Sequence, residues 1–575
     1  FGVAFLLALI PLLRGYDAAI RESDTIRSPD REAKWNYITQ WSLPPEDVID
    51  LVAPGYHGIR TGEPEGPYWG RIGRTAGWEQ TGEGFRDFRL DQPYVGILPF
   101  LFALFALVPA ARARIRAGRA GSPAGTDREE CHILFFSLMS LVLLGFALGK
   151  YSPLYWLLYR LPVISDVRAP VKFLGVFQLT LGIVAAYGLD LVFRGLPERW
   201  AGQERGWLRR FPWIAGAAAL VLAGAAGALA LRQGVSIPRW TEEWGSEAVA
   251  RVIEYRRITA LLAAAVFAGA GAAMIAVARR LRAAGRSTTA LAWVITVVTA
   301  GDAWLTSRDF VHTFPRSHLA ENAALRAMKD NETFGRVCLL TKSGIYNYWL
   351  SVQFPYHALR SINISQMPRI SEDYSRFLEA LSARMVRLWD IAAVTRVAGP
   401  AEWLEEIARE PGVKDRLRPL LRYDIYGTRE GGIGIDENPM IGEHAVWEFT
   451  PAVPRFYLAH RWEAVAERDM PARLAADDFA PGTVVLVRPD DLAALGDSSP
   501  GPDAADTIRV VEYRTGHAKI ETVTARPALL RFAEKVHPMW RATVDGRPAS
   551  VFRVDAVCIG VPVPEGRHEI ILDAH

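Results

Sequence analysis

The sequence contains few of the residues and motifs from which many common functional sites are built. Its 575 residues include three cysteines, Cys131, Cys338 and Cys558, too few and too far apart for a disulfide framework or a cysteine zinc site. The net charge of +3 comes with no basic tail and no stripe of basic and aromatic residues, so we predict no nucleic-acid partner. No HExxH, GxSxG, P-loop or GxGxxG motif occurs in a convincing context, so the enzyme classes that these motifs mark gain no support.

The most informative feature of the sequence is a series of long hydrophobic runs. Hydrophobic residues make up 50% of the chain and charged residues 22%. These averages combine two unlike halves, one with long apolar runs and one with the composition of a soluble protein. Six runs approach the length of about 20 residues that a helix needs to cross a bilayer core. They are residues 93–110, 131–148, 173–193, 212–231, 259–278 and 288–307. The opening FGVAFLLALIPLLRG lacks a basic leader and a cleavage motif, so we interpret it as the end of a further membrane helix. The sequence thus predicts about seven spans, the alternative being a buried soluble bundle.

The distribution of arginine predicts the orientation of these spans. Arginine is dense in the connectors 111–130, 194–211 and 279–287. These alternate along the chain with the connectors 14–92, 149–172 and 232–258. Because basic connectors stay in the cytoplasm, we expect the first three there and the other three outside. The part of the chain after residue 307 is then also expected outside.

Aromatic residues are prominent in the connector 14–92. Tyr56, Tyr68 and Trp69 lie in PGYHG and GPYWG, loop sequences in which a ring could stack on a sugar. The same residue types form the aromatic belt at a membrane interface, which is the simpler interpretation. In the same connector, Ser42 before PPEDVID predicts the N-cap of a short helix, with proline in its first turn.

The segment SDVRAPVKFL, residues 165–174, places two cations directly before a membrane span. The preceding YSPLYWLLYRLPVI predicts a short amphipathic helix on the membrane surface. Arg168 and Lys172 would lie at headgroup depth, where a cation can simply extend its side chain to water. The alternative is a site for a lipid phosphate, to which arginine offers a forked contact and lysine a single charge. Asp302, near the end of the last span, could be a functional intramembrane acid or part of a water-exposed helix end.

The remainder of the chain has the composition of a soluble protein. Helical and strand patterns interleave over residues 308–440, which predicts an α/β layer. Many short strands with turn signals follow over residues 441–575, among them the hairpin dipeptide Asp545-Gly546, and these predict a β-sandwich. The predicted fold is therefore a polytopic α-helical membrane bundle over residues 1–307, followed by these two domains.

Several of these segments together resemble a known family. PYVGILPFLFALFAL and GKYSPLYWLLYRLPVISDVRAPVKFLGVFQLTLGIVAAYGLD, with the earlier SLPPEDVIDLVAPGYHG, resemble the bacterial YfhO-type membrane proteins. The later PAVPRFYLAHRWEAV and VHPMWRATVDGRPASVFRVDAVCIGVPVPEGRHEIIL resemble the outer-domain ending of that family. The likeness covers nearly the whole chain in order. Its most specific part is Arg-Ala-Pro followed by a basic residue and an apolar helix.

The resemblance implies a GT-C-like glycosyltransferase architecture, in which a sugar passes from a polyprenyl-phosphate carrier to an acceptor outside the cytoplasmic membrane. It implies that Arg168 and Lys172 bind the lipid phosphate, with Arg160 as a third candidate. Such enzymes carry a catalytic acid in the first outward loop, and we expect this chain to begin after that point. Asp17 and Glu22 are the candidates within the sequence. No cofactor and no metal ligand are predicted, and a divalent metal requirement is left open.

Two functions of different classes remain as hypotheses. One is a membrane glycosyltransferase whose partners are a polyprenyl-phosphate-linked sugar, membrane lipids and an envelope glycan, polymer or lipid acceptor. The other is a non-catalytic protein for export or assembly of envelope glycan, which would bind the lipid carrier and the glycan. For both, the expected location is the bacterial cytoplasmic membrane, with the C-terminal domains outside.

Overall fold

The described residues divide into two compact units, one ending at Thr313 and one beginning at Phe314. The computed structural model describes residues 30–59, 68–74, 92–119, 128–161, 165, 168–197, 200, 204–308, 311, 313–330, 332–363, 370–410, 412–427, 433–495 and 506–574.

The first unit is built from helices. Its α-helices are Arg31–Thr39 (α1), Ile97–Arg119 (α2), Arg128–Ala147 (α3), Pro153–Tyr159 (α4), Phe173–Arg194 (α5), Glu204–Leu231 (α6), Gln233–Trp244 (α7), Glu247–Ala283 (α8) and Thr289–Ser307 (α9). Short 3-10 helices cover Pro45–Leu51, Gly149–Tyr151 and Pro170–Lys172.

Six of these helices, α2, α3, α5, α6, α8 and α9, are long and apolar enough to cross a membrane. Each contains most of one of the six hydrophobic runs, so the prediction of these helices is confirmed. The seventh predicted span, at the start of the chain, lies outside the described residues. Helix α8 has 37 residues, more than the roughly 20 that a helix needs to cross a bilayer core.

Helix α2 contributes many side chains to the hydrophobic core of this unit. Leu98, Phe105 and Ala106 are fully buried, and the same core contains side chains from α5, α6 and α8. Gly188 of α5 lies directly against the backbone of Phe102, which leaves no room for a side chain between the two helices. Small residues at such crossings allow membrane helices to approach closely, because packing drives their association.

The three connectors that the arginine pattern assigns to the outside meet at one end of the helices. The Ala169 N–H donates to the carbonyl oxygen of Ile38 over 3.1 Å, which joins the connectors 149–172 and 14–92. The Arg257 guanidinium donates to the Tyr56 hydroxyl over 3.0 Å, which brings the connector 232–258 to the same place.

The three arginine-dense connectors also make contacts with one another or with a neighbouring helix end. Arg194 forms an ion pair with Glu129. The guanidinium of Arg112 lies 5.4 Å from the ring centre of Trp207, and Arg282 donates to a backbone carbonyl in the last turn of α5. These contacts agree with the predicted alternation of the connectors. Which end faces the cytoplasm stays a prediction.

The second unit begins with a layer of helices and one mixed sheet. Its early helices are Ala323–Met328 (α10), Ile345–Tyr348 (α11), Phe354–Tyr356 (α12), Glu372–Leu381 (α13), Met385–Ile391 (α14) and Ala401–Ile407 (α15). The strands are Arg336–Leu339 (β1), Val394–Pro400 (β2), Leu417–Gly427 (β3), Ile433–Glu437 (β4) and His444–Phe449 (β5). They pair in the order β1-β2-β5-β3-β4, with β1 and β2 parallel. Strand β5 lies between β2 and β3 in this sheet. The domain boundary predicted at residue 440 therefore separates β5 from the other strands of its sheet.

Strands predominate after residue 450, which confirms that the C-terminal region is rich in β structure. They are Phe456–Ala459 (β6), Trp462–Ala464 (β7), Val485–Val487 (β8), Thr507–Arg514 (β9), His517–Thr524 (β10), Ala528–Phe532 (β11), Trp540–Val544 (β12), Arg547–Ala549 (β13), Phe552–Val554 (β14), Cys558–Val563 (β15) and Gly566–Ala574 (β16). Two short helices, Met470–Ala475 (α16) and Leu492–Leu495 (α17), interrupt them.

Two of the C-terminal sheets share one hydrophobic core. One has the order β13-β12-β16-β10-β9 and the other β14-β15-β11-β6, while β7 and β8 form a separate parallel pair. Leu530 and Val561 from the second sheet pack with Ile520 and Leu572 from the first, and all four are fully buried. The predicted hairpin at Asp545-Gly546 also forms and joins β12 to β13.

The carboxylate of Asp373 makes this second unit sensitive to acid. Burial would raise the pKa of this carboxyl, but the Arg553 guanidinium at 2.5 Å and the Lys535 ammonium at 3.6 Å lower it to about 2. A depressed pKa stabilises the fold above the unfolded pKa of about 4, and this contribution of about 2 kcal/mol is lost as the pH falls toward 2.

We therefore expect Asp373→Asn to destabilise the protein at neutral pH, with the difference from the parent shrinking between pH 4 and pH 2. Thermal unfolding of both proteins across this range measures the difference. A constant difference down to pH 2 would contradict the assignment.

Candidate functional site at the ends of two membrane helices

The end of α1 and the turn that follows it, residues 38–43, lie between the end of α3 and the start of α5. The Leu43 N–H donates to the Ala147 carbonyl over 2.9 Å. The Val171 N–H donates to the Trp41 carbonyl over 3.1 Å. Ala169 has a φ of 70°, a left-handed conformation that is costly for a residue with a side chain. Residues 38–43 thus hold the Arg-Ala-Pro element in a fixed and strained conformation.

Arg168 is held by side chains of α1 and of the segment that follows it. Its Nη2 donates to Gln40 Oε1 over 2.9 Å, and its Nη1 lies 3.4 Å from the Tyr37 hydroxyl. The guanidinium carbon also lies 4.3 Å from the centre of the Tyr37 ring. Gln40 donates in turn to the carbonyl oxygen of Gly73 over 2.8 Å. The guanidinium is therefore half-buried and oriented, unlike that of an arginine that merely extends to water.

The other two predicted phosphate ligands are placed differently. Lys172 is exposed at the end of the 3-10 turn from which α5 continues. Arg160 is also exposed, and its guanidinium lies 3.5 Å from the ring centre of Trp156 in α4. This helix forms as predicted, with Ser152 as its N-cap and with Trp156 on its exposed apolar side. Arg160 thus lies at the C-terminal end of the amphipathic helix, whereas Lys172 lies four residues after Arg168, in the turn before α5.

Two further cations, which the sequence reasoning missed, lie at the end of α3. The Lys150 ammonium lies 5.4 Å and the Arg71 guanidinium 5.2 Å from the centre of the Tyr151 ring. Arg71 also forms a forked ion pair with Glu46. Partial desolvation lowers the pKa of Lys150, and the charge of Arg71 lowers it further.

Gly149 brings this pair next to the Arg-Ala-Pro element. A side chain at Gly149 would collide with those of Ser42 and Pro170, so the backbone at Gly149 lies directly against both side chains. We call Arg71, Lys150, Arg168 and Lys172 the cation cluster. The sequence could have indicated Lys150 as a further candidate, because it lies in the same connector as Arg168 and directly after a membrane span.

A second group of titratable residues lies in the connector 14–92. Asp47 and Asp50 are fully buried in the 3-10 helix Pro45–Leu51, and the ligand atoms of these residues and His57 lie within 4.8 Å of one another. His57 Nδ1 is 3.3 Å from Asp50 Oδ2 and 3.6 Å from Asp47 Oδ1. The Tyr68 hydroxyl donates to Asp47 over 2.5 Å. Carboxylates with an imidazole can hold a divalent cation or transfer protons, so both kinds of chemistry are open to this group.

The spacing of the two aspartates is a signal that could have found this group. A 3-10 helix has three residues per turn, so side chains three residues apart lie above one another. Asp47 and Asp50 have that spacing within PEDVID. The position of His57 could not be read from the spacing, because it depends on how the following loop folds back.

The aromatic candidates are largely packed inside the fold. Tyr68 is fully buried, and Trp69 is 8% exposed. Tyr56 is half-buried and accepts a hydrogen bond from Arg257, whose guanidinium also lies 5.3 Å from the ring centre. A buried ring offers no face to a sugar, so the geometry of Tyr68 and Trp69 favours a packing role.

The candidate catalytic acids Asp17 and Glu22 lie outside the described residues. Asp302 is buried in α9, and the Tyr94 hydroxyl, which donates to this carboxylate, lies 2.9 and 2.7 Å from its two oxygens. The Asp302 carboxylate is therefore buried and hydrogen-bonded to Tyr94, rather than exposed at a helix end.

The described residues define a class: a protein with six helices long and apolar enough to cross a membrane and a strand-rich C-terminal region. Comparison with protein-family models, with curated proteins and with solved structures gave no match to this chain.

Proposed function

We propose that this protein is a membrane glycosyltransferase that transfers a sugar from a polyprenyl-phosphate carrier to an envelope glycan, polymer or lipid acceptor. The observation that carries the proposal is the placement of Arg168, which is oriented by Gln40 and Tyr37 immediately before a membrane span. The resemblance to the YfhO-type proteins and their GT-C-like architecture points in the same direction. The protein would lie in the bacterial cytoplasmic membrane, with the cation cluster and the C-terminal unit outside.

The chemistry requires two kinds of group, and both occur among the described residues. Cations at headgroup depth would bind the carrier phosphate and stabilise the negative charge that grows on it as the sugar departs. An acid or base would accept the proton of the acceptor hydroxyl. His57, oriented by Asp50, has the geometry of such a base. Asp17 and Glu22 stay candidates for the same role.

The test is sugar transfer by the full-length protein in membrane vesicles supplied with a panel of polyprenyl-phosphate sugars. Hydrogen bonds to charged groups are worth about 1.5–3 kcal/mol, so we expect Arg168→Ala to lower kcat/KM for the carrier about 10- to 150-fold. Gln40→Ala leaves the charge but removes its support, so we expect a smaller loss.

The matched control is Arg251→Ala. Arg251 is 67% exposed on α8 and paired only with Glu247 among the described residues, so its removal should leave transfer unchanged. Equal transfer by Arg168→Ala and the parent would contradict the site. Binding of the carrier without transfer to any acceptor would contradict the enzyme and favour the non-catalytic export or assembly protein.

A further inference from the structure

A cavity of about 380 Å³ opens in the C-terminal region and is lined by residues of β12, β13 and β14 and of the loops beside them. Trp540 begins β12, Arg553 lies in β14, and Arg488 directly follows β8. The loop that contains His537 and Pro538 closes one side. The volume lies at the small end of the roughly 300–1,000 Å³ typical of ligand sites, which suits a ligand about the size of one or two sugar rings.

The charged side chains that line this cavity all have one sign. Arg488, Arg541 and Arg553 contribute guanidinium groups and His537 an imidazole, while no carboxylate is among the described residues that line it. Arginine presents several N–H donors in a planar fork that matches a carboxylate or a phosphate. The lining therefore favours an anionic ligand.

Carboxylates behind the cavity wall hold two of these arginines in place. Asp491 accepts from Arg488 over 3.0 and 3.1 Å, and Asp373 accepts from Arg553 over 2.5 Å. Glu467 lies 3.4 Å from Arg553 and 3.9 Å from Arg488. These acids orient the two guanidinium groups and offset much of their positive charge. The two arginines therefore offer a ligand oriented N–H donors but little net charge.

Arg541 is the lining arginine whose charge is least offset by carboxylates. Its Nη1 donates to the backbone carbonyls of Pro538, over 2.5 Å, and of Trp540, over 3.0 Å. Within the described part of the chain, no carboxylate forms an ion pair with it. The carbonyl contacts fix the side chain against the loop, and its other N–H groups are available at the mouth of the cavity.

The remaining wall is apolar. Val536, Pro538, Trp540 and Val551 line it together with the arginines. A few directed polar groups set in an apolar wall are typical of a small-molecule site.

We infer that this cavity binds a ring-sized organic anion, whose carboxylate or phosphate group contacts Arg541 while the body of the ring packs against the wall at Trp540 and Pro538. Sugar acids and sugar phosphates both have this chemistry. The inference concerns binding in the C-terminal region and does not depend on the proposed glycosyl transfer.

Calorimetric titration of the full-length protein in detergent tests the inference, with glucuronate and glucose 6-phosphate as anionic probes. We expect at least one to bind, with glucose and inorganic phosphate about 10-fold weaker or more, since each lacks one half of the required chemistry. Binding of glucuronate alone would identify carboxylate as the group, and binding of glucose 6-phosphate alone would identify phosphate.

Arg541→Gln should weaken the binding about 10-fold or more without changing the unfolding temperature, because Arg541 is exposed. Arg567→Gln is the matched control, since Arg567 is a 76% exposed arginine of β16 that does not line the cavity. Failure of both anions to bind, equal binding by Arg541→Gln and the parent, or equal binding of glucose or of inorganic phosphate would overturn the inference. None of these readouts involves transfer, so they are independent of the outcome for the proposed enzyme.

Discussion

Replacing Gly188 by alanine is expected to prevent α2 and α5 from packing, and to lower the yield and the unfolding temperature of the whole membrane unit. An added Cβ would lie 2.5 Å from the carbonyl carbon of Phe102 and closer still to its oxygen. Overpacking in a core usually costs about 1–3 kcal/mol, because neighbouring side chains can move aside. Here the obstacle is backbone in a neighbouring helix, so the helices themselves must separate. We expect a cost at or above the upper end of that range.

The same helix offers a matched control in Gly182. A Cβ added there meets nothing within 4 Å. Because alanine is a better helix former than glycine by roughly 1 kcal/mol, Gly182→Ala should leave the protein unchanged or slightly more stable. The yield of monodisperse protein in detergent and its thermal unfolding measure both variants. Equal behaviour of the two would show that the α2–α5 crossing does not limit stability.

Neutralising Asp555 is expected to destabilise the C-terminal sheets by about 3–5 kcal/mol, the usual cost of breaking a buried ion pair by removing one partner. The Arg531 and Asp555 side chains are 1% and 4% exposed, with Nε and Oδ2 separated by 3.0 Å. Asp555 also accepts from the Leu486 N–H over 2.9 Å, and Arg531 donates to the Ile391 carbonyl over 2.7 Å. The pair therefore connects β11 to β8 and to the end of α14.

Asp555→Asn is the appropriate variant, because Asp555 has a φ of 47° and asparagine tolerates this conformation. Hydrogen exchange in β11 and β15 of the intact protein measures the local free energy of opening. In the double variant Arg531→Met with Asp555→Asn, we expect a loss smaller than the sum of the two single losses, because neither charge is then left buried alone.

Arg567→Gln, which removes an exposed pair with Glu521, should change this free energy by at most about 1 kcal/mol. A loss in Asp555→Asn no larger than in this control would contradict the role of the buried pair.

Local signals in the sequence were sufficient where the structure depends on a few neighbouring residues. The hairpin at Asp545-Gly546 forms because both residues adopt positive φ, 51° and 75°, as a tight turn between twisted strands requires. The short helix α4 also forms as predicted, and the Ser152 hydroxyl, which accepts from the Leu154 N–H two residues away, caps its start.

Local signals failed where a distant segment competes for the same atom. Ser42 was predicted as the N-cap of a helix, and this prediction is wrong: the 3-10 helix begins at Pro45, and no side chain caps it. The Ser42 hydroxyl instead donates to the Thr39 carbonyl and accepts from the Lys150 N–H, 108 residues further along the chain. A pattern of neighbouring residues carries no information about that partner.

By itself, the sequence determined which segments form membrane-length helices and that the C-terminal region is rich in strands, because the length and periodicity of apolar residues follow from the bilayer and from the geometry of each element. Only the tertiary structure decided which residues meet: Arg168 with Gln40, Lys150 with Arg71, His57 with Asp47 and Asp50, and β5 between β2 and β3. These contacts join residues separated by up to 128 positions. They depend on packing between whole elements, which a local pattern does not encode.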